Sequence, residues 1–188
     1  MGKIIVSEMI TLDGYFSGLN GEVDWFMWDK DTDRETFEML NKADCLLLGH
    51  ETYKVLSGYW PTATEEDPKY IQRINGLKKV VISNSSHSLD WNADILQASS
   101  DEELVIEVIN LKKENNILIF GSGSIVSILS NQGLIDEYRL FINPLILRSG
   151  RPLFSNTGDK SSLDLTNTKV FGNGVVLLEY KKINRPKV

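Results

Sequence analysis

Asn116-Ile-Leu-Ile-Phe-Gly121-Ser-Gly123-Ser-Ile-Val-Ser-Ile-Leu129 is the stretch that decides the fold. A short apolar run, as in a strand buried on both faces, passes through Gly-Ser-Gly directly into residues at helical spacing. Glycines there let the chain turn sharply and leave room for a ligand to approach the main chain. The first N–H groups of the following helix are unpaired and lie at its positive end, which suits a pyrophosphate. A Gly-x-Gly at such a turn also serves tight packing alone, and the third glycine of the dinucleotide fingerprint is absent.

The same strand-to-helix grammar recurs on either side. Cys45–Leu48 is a buried strand ended by Gly49, and His50–Leu56 reads as a helix that Gly58 can stop. Thr52 there either donates its hydroxyl to a phosphate or satisfies a first-turn N–H. Lys79–Ser83 reads as a strand ending in Ser83, Asn84, Ser85 and Ser86, polar residues placed where ligands sit in open α/β sheets or where turns form. Lys3–Met9 reads as the first strand. Asp31–Lys42 reads as a helix with Thr32 and Glu35 as a capping box and Phe37 and Leu40 on one face. Asp67-Pro68 opens a further helix with Tyr70, Ile71 and Ile74 facing inward, and Ser100 with Glu103 opens another. After the Gly133 that closes the 122–131 helix, Tyr138–Leu147 and Thr168–Lys182 read as strands without intervening helices. Asn173-Gly174 marks a hairpin. The expected fold is α/β: a mixed, mostly parallel sheet flanked by helices, ending in an antiparallel hairpin.

Composition narrows the function classes. The 188 residues suit one domain, with no repeat or linker to divide them. The single Cys45 excludes an intrachain disulfide and a thiolate zinc cluster, and with only two histidines no metal site is expected. Cys45 lies in an apolar run and reads as a small hydrophobe. Twenty basic against 26 acidic residues give −6, which disfavours nucleic acid. No apolar stretch approaches the ~20 residues that span a bilayer and no signal-peptide pattern opens the chain, so a cytoplasmic protein is expected.

Three strand ends with compatible chemistry resemble the dihydrofolate-reductase-like superfamily in order and spacing: Gly49-His-Glu-Thr52-Tyr53, Val81-Ile82-Ser83 and Ile119-Phe-Gly121-Ser-Gly123-Ser. Thr11-Leu-Asp13-Gly14-Tyr15, Leu134-Ile-Asp136-Glu137 through Pro144, and Gly150-Arg-Pro-Leu-Phe154 are similar to signatures of one branch. That branch contains the reductase domain of the bifunctional riboflavin-biosynthesis deaminase/reductase. Gly21-Glu-Val-Asp24-Trp25 and Gly58-Tyr59-Trp60-Pro61 resemble its small stand-alone bacterial members, and the similarity spans roughly residues 2–182.

The resemblance implies a reductase that takes hydride from NADPH, with NADH as the alternative, and delivers it to a pterin- or pyrimidine-like heterocycle. It assigns the pyrophosphate to Gly121, Ser122, Gly123, Ser124 and Ile125. Gly49, His50 and Thr52, with Ser83, Asn84 and Ser85, receive the adenosine side. The loop from Ile10 to Phe16 borders the nicotinamide. An ungapped match of Phe37 and Gly49 to dihydrofolate reductases puts Asp33 at their catalytic carboxylate; an acid in a first helical turn is also favoured by the helix dipole alone. Substrate contacts are expected among Asp13, Tyr15, Trp25, Phe37, Tyr53 and Trp60. Asp13 equally suits a plain turn, and the aromatics equally suit the core. The resemblance further implies a homodimer through the C-terminal strands.

Three departures bear on substrate and cofactor. Tyr15 stands where riboflavin-pathway reductases commonly carry a lysine, and Phe120 where an acid precedes the Gly-rich turn; both remove polar contacts to a phosphoribosyl group. His50 replaces an arginine that meets the 2′-phosphate, weakening the preference for NADPH over NADH. The alternatives are 5-amino-6-(5-phosphoribosylamino)uracil reduction itself, and a non-catalytic nucleotide-binding module on the same fold.

Overall fold

Alternating burial along the central strands builds the core on both faces of one sheet. In β1 (Ile4–Thr11), Ile4, Val6 and Ile10 enter one apolar cluster while Ile5 enters the opposite one. β3 (Cys45–Gly49) repeats the pattern, with Cys45 and Leu47 on the first face and Leu46 and Leu48 on the second. β6 (Ile117–Ile119) does the same with Ile117 and Ile119 against Leu118. Side chains that alternate across a pleat and are apolar on both sides require helices on both faces. The computed structural model, which describes residues 1–83, 89–155, 158 and 160–183, supplies them.

α4 (Asp101–Lys112) and α5 (Gly123–Asn131) cover one face through Leu104, Val108, Ile125, Val126 and Leu129. α1 (Lys30–Lys42), α2 (His50–Tyr59) and α3 (Pro68–Gly76) cover the other through Met39, Leu40, Tyr53 and Ile74. The remaining strands are β2 (Tyr15–Ser17), β4 (Lys78–Ile82), β5 (Ala93–Leu96), β7 (Glu137–Asn143), β8 (Arg151–Pro152), β9 (Leu163–Val170) and β10 (Val176–Lys182). The main sheet has eight strands in the order β5-β4-β3-β6-β1-β7-β10-β9, and β2 pairs with β8 in a small second sheet. All pairs from β5 to β7 are parallel; β10 pairs antiparallel with β7 and β9. The expected mostly parallel sheet with its antiparallel end is the observed one, and Gly174 takes the positive φ of +89° in the hairpin turn.

Several boundaries differ from the sequence reading, each for a local reason. α1 is capped by Asp29, whose carboxylate accepts the N–H groups of Asp31 and Thr32, while the Thr32 hydroxyl accepts the N–H of Asp29. Thr32 is thus the third residue of the box, not its cap. Glu35 turns instead to Arg139 and Lys169. α2 runs through Gly58 to Tyr59 and continues as a 3-10 turn over Trp60–Thr62, where Pro61 rather than glycine sets the stop. Ser100 does cap α4, but the Glu103 carboxylate accepts from Ser99. The strand expected over 138–147 ends at Asn143, and the first hairpin strand begins earlier than Thr168, at Leu163.

The segment between β2 and α1 crosses the carboxyl ends of the strands and is pinned from beneath. Asn143, fully buried, accepts the N–H of Met27 at 3.0 Å, and the Asn173 amide donates to the Met27 carbonyl at 3.2 Å. Phe26 settles there against Met9, Phe141 and Phe171.

Candidate active site

β1, β3 and β6 finish side by side, and their ends are packed so closely that side chains are excluded at three points. A Cβ on Gly49 would lie 2.8 Å from Ser122 Oγ, and one on Gly123 would lie 2.5 Å from Phe16 Cε1. Gly121, at φ +63°, would bring a Cβ to 3.0 Å from Thr52 Oγ1 and 3.3 Å from Glu8 Oε1. The Gly121–Ser122 peptide is cis. The Gly-Ser-Gly turn of β6 thus rests against the Gly49 turn of β3.

Both turns open helices that lack a side-chain cap. α1, α3 and α4 have one, from Asp29, Asp67 and Ser100; α2 begins at Gly49 and α5 at Ser122 with none. Among the described residues, no capping side chain takes up the first-turn N–H groups of these two adjacent helices, which lie at the positive ends of both dipoles. Ser122 Oγ and Ser124 Oγ lie 2.7 Å apart at the same place. A cleft of about 550 Å³ adjoins it, lined by His50, Ser83, Ser99, Ser124 and Ile125 among others. His50 Nδ1 is buried there without a hydrogen-bond partner. An anionic cofactor with polar rings fits this donor set: backbone N–H groups, hydroxyls and an imidazole, with close approach secured by glycine. The expected cofactor residues Gly49, His50, Thr52, Ser83, Gly121, Ser122, Gly123, Ser124 and Ile125 are brought together. Asn84 and Ser85 lie outside the described residues. Ile10 is buried within β1, in the apolar cluster beneath α5.

A second cleft, of about 410 Å³, lies on the other side of the Gly121 turn and is chiefly apolar. Phe16, Phe26, Trp28, Trp60 and Tyr70 give it aromatic walls, Trp60 stacking on Tyr70 at 5.0 Å. Of the expected substrate residues, Trp60 lines it. Phe37 stands behind, stacked on Tyr70 at 5.9 Å. Tyr53 is buried and donates its hydroxyl to the Asp90 carbonyl. Trp25 packs edge-on to Phe26 with Nε1 buried and unpartnered. Tyr15 belongs to β2. Asp13 accepts from the Thr11 hydroxyl and the N–H groups of Leu147 and Arg148, tying two loops together. Asp33 sits half-buried in the first turn of α1, one turn before the lining residue Thr36 and close enough to the lining residue Tyr70 to raise its pKa; burial first, then Glu66 and Asp29, raise that of Asp33 itself.

The lining residue that the sequence reading passed over is Glu8. It is only 8% exposed, and Oε1 has no hydrogen-bond partner. The Gly121 N–H donates to the carboxyl, but burial dominates and pushes its pKa up to about 8. The available signal was its parity: Glu8 occupies a position in β1 where Ile4, Val6 and Ile10 supply apolar side chains. The other charged lining groups are Glu51 and Arg151, and Arg151 also faces Glu22.

Comparison with known proteins follows the same geometry. The family described as RibD C-terminal domain matches residues 2–177. The chain is 33% identical over 182 residues to uncharacterized protein YyaP of Bacillus subtilis (strain 168), covering 95% of this chain and 94% of that one. A putative riboflavin biosynthesis protein from Shewanella sp. PV-4 superposes with a TM-score of 0.75 at 19% identity, covering 98% and 100% of the two chains. A diaminohydroxyphosphoribosylaminopyrimidine deaminase/5-amino-6-(5-phosphoribosylamino)uracil reductase from Thermotoga maritima gives 0.70 at 18% identity, over 97% of this chain and 57% of that one. These two likenesses are of fold.

Proposed function

This chain belongs to the RibD C-terminal domain family, and from that premise we propose that it is a reductase that uses NADPH to reduce an unsaturated carbon of a flat nitrogen heterocycle, pterin- or pyrimidine-like. The observation that carries the reading is the pair of abutting helix starts without side-chain caps, with a polar cleft on one side and an aromatic one on the other. The N–H groups at the starts of α2 and α5, with the hydroxyls of Thr52, Ser122 and Ser124, would hold the pyrophosphate. His50 and Ser83 would meet the adenosine side. When bound, the cofactor supplies hydride; the protein contributes position and exclusion of water. Phe16, beside Gly123, lines the aromatic cleft, and Trp28, Trp60 and Tyr70 would offer flat surfaces for a ring.

The cleft chemistry speaks against the phosphoribosylaminouracil substrate as the native one. Among the described residues Arg151 is the one cation in the lining, where Glu8 and Glu51 also stand. Calorimetric titration tests the core of the reading: NADPH binds at micromolar concentration and NADH more weakly. Absence of heat for both below millimolar concentration overturns it.

A further inference from the structure

We infer that Glu8 is the proton donor of the aromatic cleft, and that the cleft takes an uncharged flat compound, free of phosphate, whose acceptor nitrogen lies next to the carbon to be reduced. The inference deepens the reductase reading and rests on it for the chemistry served. Glu8 lines the cleft from β1, its Oε1 buried and without a partner beside the Gly121 turn. A carboxyl kept in that setting has one unused hydrogen-bonding atom, enclosed at the Gly121 turn on the edge of the cleft that the residue lines. Ile4, Val6 and Ile10 show what the same face of the strand carries where only packing is required.

Among the described residues, the titratable groups on the surrounding elements are Asp33 on α1, His50 and Glu51 on α2, Tyr70 on α3 with Glu66 just before it, Arg139 on β7 and Arg151 on β8. None forms an ion pair with Glu8; Arg139 is taken up by Glu35 and Glu179. With no cation to hold it ionised, burial keeps the carboxyl protonated at neutral pH, so that it donates. With Arg151 as the one cation lining the cleft among the described residues, and Glu8 and Glu51 beside it, the lining favours a substrate without phosphate.

The chemistry balances around a C=N bond. Hydride from a reduced nicotinamide adds to the carbon, and the π pair moves to nitrogen. Glu8 passes its proton to that nitrogen and is left as a carboxylate, which water in the cleft reprotonates. The substrate gains two hydrogens across C=N, and the nicotinamide is oxidised by two electrons.

Quinoline and naphthalene have the same shape and differ by one acceptor nitrogen, so they read the donor without any cofactor. Their binding is followed by quenching of tryptophan fluorescence, Trp28 and Trp60 being in the lining. At pH 6 the protein should bind quinoline at least tenfold more tightly than naphthalene. That preference should vanish above pH 9 and in Glu8→Leu, and persist in Glu8→Gln, whose amide still donates. Equal binding of the two at pH 6, or a preference unchanged in Glu8→Leu, overturns the inference. Difference infrared spectroscopy provides a second reading: a protonated-carboxyl stretch at pH 6 that disappears in Glu8→Gln supports it, and its absence from the wild type contradicts it. NADPH titration of the same three proteins separates the claims. Failure of the wild type to bind NADPH sinks the reductase reading and leaves the quinoline result to judge Glu8.

Discussion

Glu8 shares a face of β1 with Ile4, Val6 and Ile10 and borders the aromatic cleft at the Gly121 turn. An acid inside an apolar strand alternation is visible in the sequence, yet nothing in a strand's pattern tells whether such an acid meets a cation, a backbone N–H or a cleft. The answer depends on Gly121 and Thr52, more than 40 positions away, and on the lack of an ion pair to Glu8 among the described residues. An ionised carboxylate is costlier to bury than a neutral amide of the same shape, so above pH 8 Glu8→Gln should be at least as stable as the wild type. The pH dependence has a definite sign. The folded protein holds the Glu8 proton up to about 8, whereas an unfolded glutamate loses it near 4.5. The stability this contributes is present in full below 4.5, declines as pH rises and has gone once pH passes about 8. Urea midpoints measured from pH 5 to 9 should fall with pH in the wild type and fall less in Glu8→Gln. Parallel curves would show that Glu8 ionises as an ordinary surface acid. The lone thiol behaves as its apolar surroundings imply: Cys45 is fully buried, and burial pushes its pKa up to about 11.

At the scale of elements, the parts of the sequence that obey short-range rules were legible. The Gly-x-Gly turn into α5, the Asn173-Gly174 hairpin and the capping of α4 by Ser100 each depend on a few adjacent residues. Elements held by distant partners were not. β2 and β8 are two or three residues long and exist because Tyr15 and Ser17 meet Pro152 and Arg151 across most of the chain. Glu35 satisfied a local capping pattern but was drawn to a network on the sheet face, where it pairs with Arg139 at 2.9 Å and Lys169 at 2.6 Å while Arg139 also meets Glu179. Burial alone would raise the Glu35 pKa; the hydrogen bonds and charges of Lys169 and Arg139 more than offset this and lower it. This cluster ties α1 to β7, β9 and β10. Glu35→Ala leaves the Arg139 guanidinium buried beside one acid instead of two. The loss should be about 2–3 kcal/mol, under the range for a fully buried pair because the Lys169 side chain keeps 34% of its surface exposed. Chemical denaturation at pH 7 measures it, and a change below about 0.5 kcal/mol would mean that the network contributes only geometry.

On the scale of the whole molecule, topology explains why the candidate cofactor residues could be gathered from sequence while the substrate side could not. Strand ends of a parallel sheet share one edge, so Gly49, Ser83 and Gly121 come together as soon as the strands are recognised. The aromatic cleft draws instead on the segment before α1, on α2 and on α3, whose meeting is set by Asn143 and Asn173 holding Met27 from below. Trp60 was legible there; Phe26 and Tyr70 became lining residues only through that packing. The central claim is that two helix starts without side-chain caps receive the pyrophosphate of a nicotinamide cofactor between a polar and an aromatic cleft. A crystal structure of the protein with NADPH tests it most directly. The pyrophosphate should lie against the N–H groups opening α2 and α5, the adenosine beside His50 and Ser83, and the nicotinamide at the Gly121 end of the aromatic cleft within reach of Glu8. A cofactor bound elsewhere, or both helix starts free of phosphate at saturating NADPH, would contradict it.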